Sequence, residues 1–255
     1  MAAEHLAAFD LEESMEKLEK KVEWFKRDII EVFGNDLESV VLYGSAATKD
    51  YIPRMSDINF LVVLNKEGMD DVWKAYRSTA KWQRKRIAPP LFMTASYIAS
   101  SSDCFPIEFL NMRFAYQVLF GDNPLKDVKI RNSDLRLQCE NEIKGKLLQL
   151  RIGQVLAGGN AARLRKLISV SLVTFTSIFR ALLTLKNKEV PKKRAEVIAA
   201  ACDAFGLNSG VFKKLYAIRE RKTRPKRKEL ILLIKAYTAE IDTLSQIVDR
   251  MQIKN

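Results

Sequence analysis

Four residues early in the chain have the types and spacing to hold a phosphorylated ligand: Gly44 and Ser45, then Asp57 and Asn59. Glycine lets the backbone turn sharply and approach a ligand closely. The residues after Gly44 are expected to begin a short helix, whose free N–H groups and positive dipole end suit a phosphate. Ser45 adds a hydroxyl donor. In an extended segment the period of two puts Asp57 and Asn59 on one face and Ile58 and Phe60 on the other. Two neighbouring oxygen-bearing side chains are a layout for holding Mg²⁺ against a triphosphate. The flanking runs, VVLY ending at Tyr43 and INFLVVL ending at Leu64, are apolar and rich in β-branched residues, and are predicted to be buried strands of one sheet. Each dipeptide alone also fits an ordinary turn. It is their order between two apolar strands that carries the chemical reading.

Gly44-Ser45 followed after a loop by Ser56-Asp57-Ile58-Asn59 resembles the Gly-Ser … Ser-Asp-x-Asp motif of the nucleotidyltransferase superfamily that shares its fold with DNA polymerase β. Within it the chain is similar to the bacterial two-domain proteins with a helical bundle, including the aminoglycoside and the minimal nucleotidyltransferases. The resemblance implies that two carboxylates of the motif and a third on a later strand bind two divalent ions, Mg²⁺ or Mn²⁺. It also implies transfer of a nucleoside monophosphate from ATP or another nucleoside triphosphate to an acceptor hydroxyl. The sequence departs from the pattern where the family has its second aspartate: Asn59 offers a carbonyl oxygen but no charge. Thr48-Lys49 stand where the family often has Arg-Gly, and Lys49 is a candidate point charge for the phosphates, without the fork of an arginine.

The composition fits anionic partners. The chain has 255 residues, a formal net charge of +12 and a pI near 9.6, so nucleotide, nucleic acid and phosphorylated ligands are the candidate classes. A drug with several ammonium groups would need an acidic pocket that such a chain does not advertise, so drug resistance is not predicted. Cys104, Cys139 and Cys202 are far apart and odd in number, which disfavours disulfides and zinc. His5 is the only histidine, which disfavours serine–histidine hydrolysis and histidine-rich metal sites. With no signal-like start and no long uninterrupted apolar window, the expectation is a cytoplasmic protein with no membrane association.

The elements that must position the motif follow in order. Leu11, Met15, Leu18, Val22, Phe25, Ile29 and then Val32 or Phe33 recur at helical spacing, predicting an amphipathic helix over 11–33 that stops at Gly34-Asn35 and packs on the sheet. A turn at 65–68, a helix over 69–87 and a short strand at 91–94 come next, with Ser96 capping a short helix through Ser102. In that helix Lys81, Arg84, Lys85 and Arg86 beside Trp82 read as a cationic helix end with the indole turned inward, or as a nucleic-acid patch. The segment FPIEFLNM, 105–112, is predicted as a largely apolar strand with one carboxylate, Glu108. The resemblance makes Glu108 the third carboxylate, completing the metal set of Asp57, Asn59 and Glu108 and accepting the proton of the acceptor hydroxyl. Asn111 is a neighbouring candidate.

The turn cluster Gly121-Asp122-Asn123-Pro124 closes the first region. The expected domains are 1–128, a nucleotidyltransferase-like α+β domain with a mixed sheet and flanking helices, and 129–255, an all-α bundle of five helices. Arg180, in the apolar second bundle helix, is a candidate phosphate or carboxylate ligand or a snorkelling surface group. Residues 219–228, RERKTRPKRK, read as a phosphate or nucleic-acid contact or as an exposed cationic loop. Two functions follow: a metal-dependent nucleotidyltransferase acting on an unnamed hydroxyl acceptor, or a catalytically weakened nucleotide- or nucleic-acid-binding protein on the same fold.

Overall fold

The structure, a computed structural model, describes residues 2–48, 51, 53 and 56–252, with side chains from residue 13 onward. Lys49 and the side chain of His5 therefore lie outside the described residues. The chain forms two compact units: 1–102 with 112–129, and 103–111 with 130–255.

The first unit begins with helix α1 (Ala2–Phe33), which starts earlier than its periodicity announced and stops where expected, at Gly34 with φ +52°. Strand β1 (Leu37–Tyr43) is central in a four-stranded sheet of order β3-β2-β1-β4. It runs antiparallel to β2 (Asn59–Leu64) and to β4 (Tyr116–Gly121), while β2 pairs in parallel with the short β3 (Leu91–Met93). Alternation decides what meets α1: Val40 and Leu42 of β1 and Phe60, Val62 and Leu64 of β2 share one core with Leu18, Val22, Phe25, Ile29 and Phe33. Phe25 stacks on Phe60 with ring centroids 3.9 Å apart and meets the edge of Trp82 at 5.4 Å. Truncating such a ring costs roughly 3–5 kcal/mol.

Between β2 and β3 the single helix expected over 69–87 is broken. Asn65 caps a five-residue helix, α2 (Lys66–Asp70), by accepting from the Gly68 N–H at 2.7 Å. A 3-10 turn (Val72–Ala75) then leads into α3 (Tyr76–Arg84). Trp82 is turned inward as anticipated, buried and donating to Asp28 Oδ2 at 2.8 Å. After β3, the cap of α4 (Ala95–Ser100) is Thr94 rather than Ser96: the Thr94 hydroxyl accepts from the Tyr97 N–H at 3.1 Å.

The second unit contains the largest departure from expectation. FPIEFLNM is not a strand; Pro106–Phe114 is helix α5. Pro106 suits a first helical turn, where its missing N–H costs nothing, and a lone apolar run cannot by itself separate strand from helix. Residues 106–111 of α5 belong with the bundle. The Ile107 N–H donates to Gln138 Oε1 at 2.7 Å, and Asn111 Nδ2 donates to the carbonyls of Ile107 and Ser177. The five bundle helices are α6 (Asn132–Ala157), α7 (Ala161–Leu185), α8 (Arg194–Phe205), α9 (Ser209–Arg219) and α10 (Arg227–Asp249). Helix α7 packs against the other four and is the one helix among the described residues long and apolar enough to cross a membrane, with half of that window buried inside the protein. An aromatic cluster of Phe175, Phe179, Phe212 and Tyr237 fills the centre, ring centroids 5.6–6.4 Å apart.

Candidate functional site

Cross-strand register brings the motif residues together at one end of the sheet. Tyr43, the last residue of β1, pairs with Asn59, the first of β2, so Gly44 follows directly beside Asn59. Gly44 has φ +78°, a left-handed conformation that glycine adopts without strain, and a Cβ there would lie 3.4 Å from Asn59 Nδ2. The helix after Gly44 is smaller than expected: a single 3-10 turn, Gly44–Ala47, closed by the Thr48 N–H and hydroxyl, both donating to the Ser45 carbonyl at 3.1 Å. The Gly44 N–H is already taken by the Ala115 carbonyl at 2.9 Å. One short turn has little of a long helix's dipole, so an anion held here would depend on the Ser45 hydroxyl and nearby cations more than on the backbone.

The second half of the motif enters β2 through a parallel bridge. Ile58 pairs with Ile87; its N–H donates to the Arg86 carbonyl at 3.1 Å and its carbonyl accepts from the Ala88 N–H at 3.0 Å. Ser56 and Ile58 are buried and Asp57 is exposed, so the Asp57 carboxylate is presented to solvent at this end. Sequence reasoning missed three neighbours, Tyr51, Lys21 and Tyr43, and placed a fourth, Arg86, only among the cations of a helix end. Arg86 takes the left-handed position (φ 62°) that ends α3, with the Arg86 N–H donating to the Gln83 carbonyl and the Ile87 N–H to the Trp82 carbonyl, both at 3.0 Å. Tyr51 is buried within electrostatic reach of both Arg86 and Asp57; burial raises its phenol pKa, Arg86 opposes the shift and Asp57 adds to it. Lys21, on α1, has its pKa lowered by burial and then by Arg86 and Lys85. Cations thus gather beside the Asp57 segment.

Tyr43 is the third. Burial pushes its phenol up to about 12 from an ordinary 10.0. Because the folded-state pKa is the higher one, the unfolded chain ionises first. The contribution is intact below pH 10 and is lost as the pH climbs towards 12, on the order of 2–3 kcal/mol in all. Melting temperatures recorded from pH 8 to 12 should therefore fall more steeply for the wild type than for Tyr43→Phe. Parallel curves would contradict the burial assigned to this phenol.

Among the described residues the donors do not make up a two-ion centre. Neither β3 (Leu91-Phe92-Met93) nor β4 (Tyr116-Gln117-Val118-Leu119-Phe120-Gly121) carries a carboxylate, so no later described strand supplies the third one. Glu108 is exposed on α5, where its Oε2 accepts from Gln138 Nε2 at 2.7 Å. Among the described residues, no group of three or more His, Cys, Asp or Glu side chains is placed to hold a metal ion. The Asp57 carboxylate and the Asn59 carbonyl oxygen could hold one Mg²⁺ together with phosphates, since that ion commonly takes one or two protein carboxylates and leaves other positions to phosphate and water. The remaining candidates have structural partners: Arg180 Nη2 donates to the Lys192 carbonyl at 3.4 Å, and Asn111 is tied to the bundle backbone.

The sheet, its motif end and the bundle share their fold, an α+β domain followed by a helical bundle, with a solved adenyltransferase. A solved structure of similar fold is the spectinomycin adenyltransferase of Enterococcus faecialis, determined with ATP and spectinomycin. The two are 12% identical and match over 91% of this chain and 99% of that one, with a TM-score of 0.53. No protein-family model matches the chain, and no curated protein matches it in sequence.

Proposed function

We propose that the chain is a nucleotidyltransferase that binds a nucleoside triphosphate at the Gly44–Asn59 end of the sheet and transfers its nucleoside monophosphate to a hydroxyl acceptor. The observation that carries the reading is the pairing of Tyr43 with Asn59, which sets a left-handed Gly44 against Asn59, with Asp57 two residues earlier, in a fold shared with an enzyme solved with ATP. Ser45 would donate to a phosphate oxygen, and the cations near Asp57 would offset the charge of the tail. Lys49 would add a further charge. The acceptor oxygen forms a bond to the α-phosphorus as the bond to the β-phosphate oxygen breaks, pyrophosphate leaves, and the hydroxyl proton is lost to water. Bound Mg²⁺ would supply neutralisation of phosphate charge at Asp57 and Asn59.

A second reading, a nucleotide-binding protein with weakened catalysis, is favoured by a separate observation: Asn59 in place of a carboxylate together with strands β3 and β4 that carry none. A thermal-shift titration of the wild type and Asp57→Ala tests nucleotide binding, using each of four nucleoside triphosphates with and without Mg²⁺. A ligand at about one hundred times its Kd adds ~2.7 kcal/mol, several degrees for a protein of this size. A Mg²⁺-dependent rise in the wild type that disappears in Asp57→Ala is expected. No rise with any nucleotide would sink both readings.

A further inference from the structure

One end of the bundle concentrates positive charge that nucleotide binding leaves unused. Arg163 and Lys166 stand in the opening turns of α7, and Arg227 and Lys228 open α10. The α9–α10 connection adds Arg221, Lys222, Arg224 and Lys226, and all eight side chains are exposed. The fold holds the two connections together. Arg165 Nη1 donates to the Pro225 carbonyl at 3.4 Å, and the Arg227 guanidinium lies 2.7–3.1 Å from where a Cβ on Gly159 would be. Among the described residues none of the eight forms an ion pair with a carboxylate. The starts of two long helices, 25 and 23 residues, add their own positive ends. Cations in a first turn oppose the dipoles of α7 and α10; Arg163 serves the Leu156 carbonyl at the end of α6, and the other charges are left for an external anion.

Exposed hydrocarbon adjoins the charge. Gly153 and Gln154 turn towards α7 and α10, where a Cβ on Gly153 would meet Leu167 and Gln154 donates to Thr238 Oγ1. The opposite face of α6 carries Leu148, Ile152, Val155 and Leu156, the last two 80% and 69% exposed. Arg163 Nη1 donates to the Leu156 carbonyl at 3.3 Å, so the row runs into the cations. On α10, Leu232 is 67% exposed one turn after Lys228.

We infer that this end of the bundle docks on an anionic lipid surface. Val155, Leu156 and Leu232 enter the headgroup region while the arginines and lysines meet lipid phosphates. Nucleic acid accounts for the charge but not for the aliphatics, and the strongly exposed large apolar residues of α6–α10 include no aromatic on which a base would stack. A second copy would set like charges against each other about a two-fold axis. Cations beside exposed aliphatic side chains on a helix are the composition that an anionic interface binds.

Co-sedimentation with phosphatidylcholine vesicles, with and without phosphatidylglycerol, tests the inference on the full chain. An oligonucleotide is titrated in parallel at the same salt concentration. The wild type is expected to bind only the anionic vesicles. Val155→Asp/Leu156→Asp and Lys222→Glu/Arg224→Glu should each weaken that binding at least tenfold, since each surface cation contributes roughly fivefold. Circular dichroism verifies folding, with Val155→Ser/Leu156→Ser in reserve. The inference is overturned by absent vesicle binding, by binding indifferent to the aliphatic substitutions, or by oligonucleotide binding without vesicle binding.

Discussion

Gly121→Ala should unfold, or come close to unfolding, the sheet-bearing unit. Gly121 has φ +68° and is the β4 partner of Ser39 in β1. An alanine Cβ there would lie 1.9 Å from the Glu38 carbonyl oxygen, 2.9 Å from its carbon and 3.1 Å from Ser39 Cα. All three are backbone atoms of the central strand, which has partners on both sides and cannot retreat. Ser39 Oγ also ties the next residue down by donating to the Asp122 carbonyl at 2.8 Å. Overlap of this kind plus left-handed strain costs roughly 3–5 kcal/mol, a large share of a domain's stability. Gly34→Ala is the control: its φ is +52° but nothing lies within 4 Å of the added Cβ, so only the strain, about 1 kcal/mol, should appear. Thermal melts of both variants decide the matter. Equal, small losses would mean that the β1–β4 register is wrong.

Asn59→Asp should change metal dependence more than any other single substitution at the site. The side chain keeps its size and its place against Gly44, so the fold has little to object to. It gains a charge on the same face as Asp57, and two adjacent carboxylates repel until a cation joins them. Without metal, nucleoside triphosphate affinity should fall because negative charge has been added beside the phosphates. With Mg²⁺ or Mn²⁺ it should rise about tenfold or more, as carboxylate count sets affinity for hard cations. Calorimetric titration with and without metal reads both effects. Transfer activity at or above that of the wild type favours the enzyme; tighter binding with no transfer favours the weakened binding protein. An affinity indifferent to metal in both proteins would remove Asn59 from the ion's surroundings.

What could be read from the sequence divides along physical lines. Strands β1 and β2 are unbroken apolar runs ended by turn residues, and α1 shows an apolar stripe over many turns. Both signals sum over enough residues to overrule local ambiguity. Gly44, Ser45, Asp57 and Asn59 were legible because a period of two and one antiparallel pairing suffice to bring them to one end. The segment around Glu108 reads as a strand because eight mostly apolar residues satisfy either periodicity. Only Pro106 hinted at a helix start, and partners such as Gln138 and Ser177 are far away in sequence. Tyr43 and Tyr51 left no local trace, and Arg86 is legible only as one cation of a helix end. Two of them matter through burial, and the third through a left-handed turn that arginine seldom occupies.

Helix α5 also determines how the chain can be divided. Its residues 106–111 are fastened to α6 and α7, yet β4, which flanks the central strand of the sheet, comes after them. The polypeptide therefore leaves the sheet unit for the bundle, returns to add an edge strand, and leaves again. No single scission separates two whole parts. A break before residue 103 strips the sheet of β4, and a break after 129 leaves the bundle without the segment that occupies Gln138. During synthesis the bundle's first piece emerges before its scaffold exists, and must wait, with Ile107 uncovered, for α6 and α7 to follow.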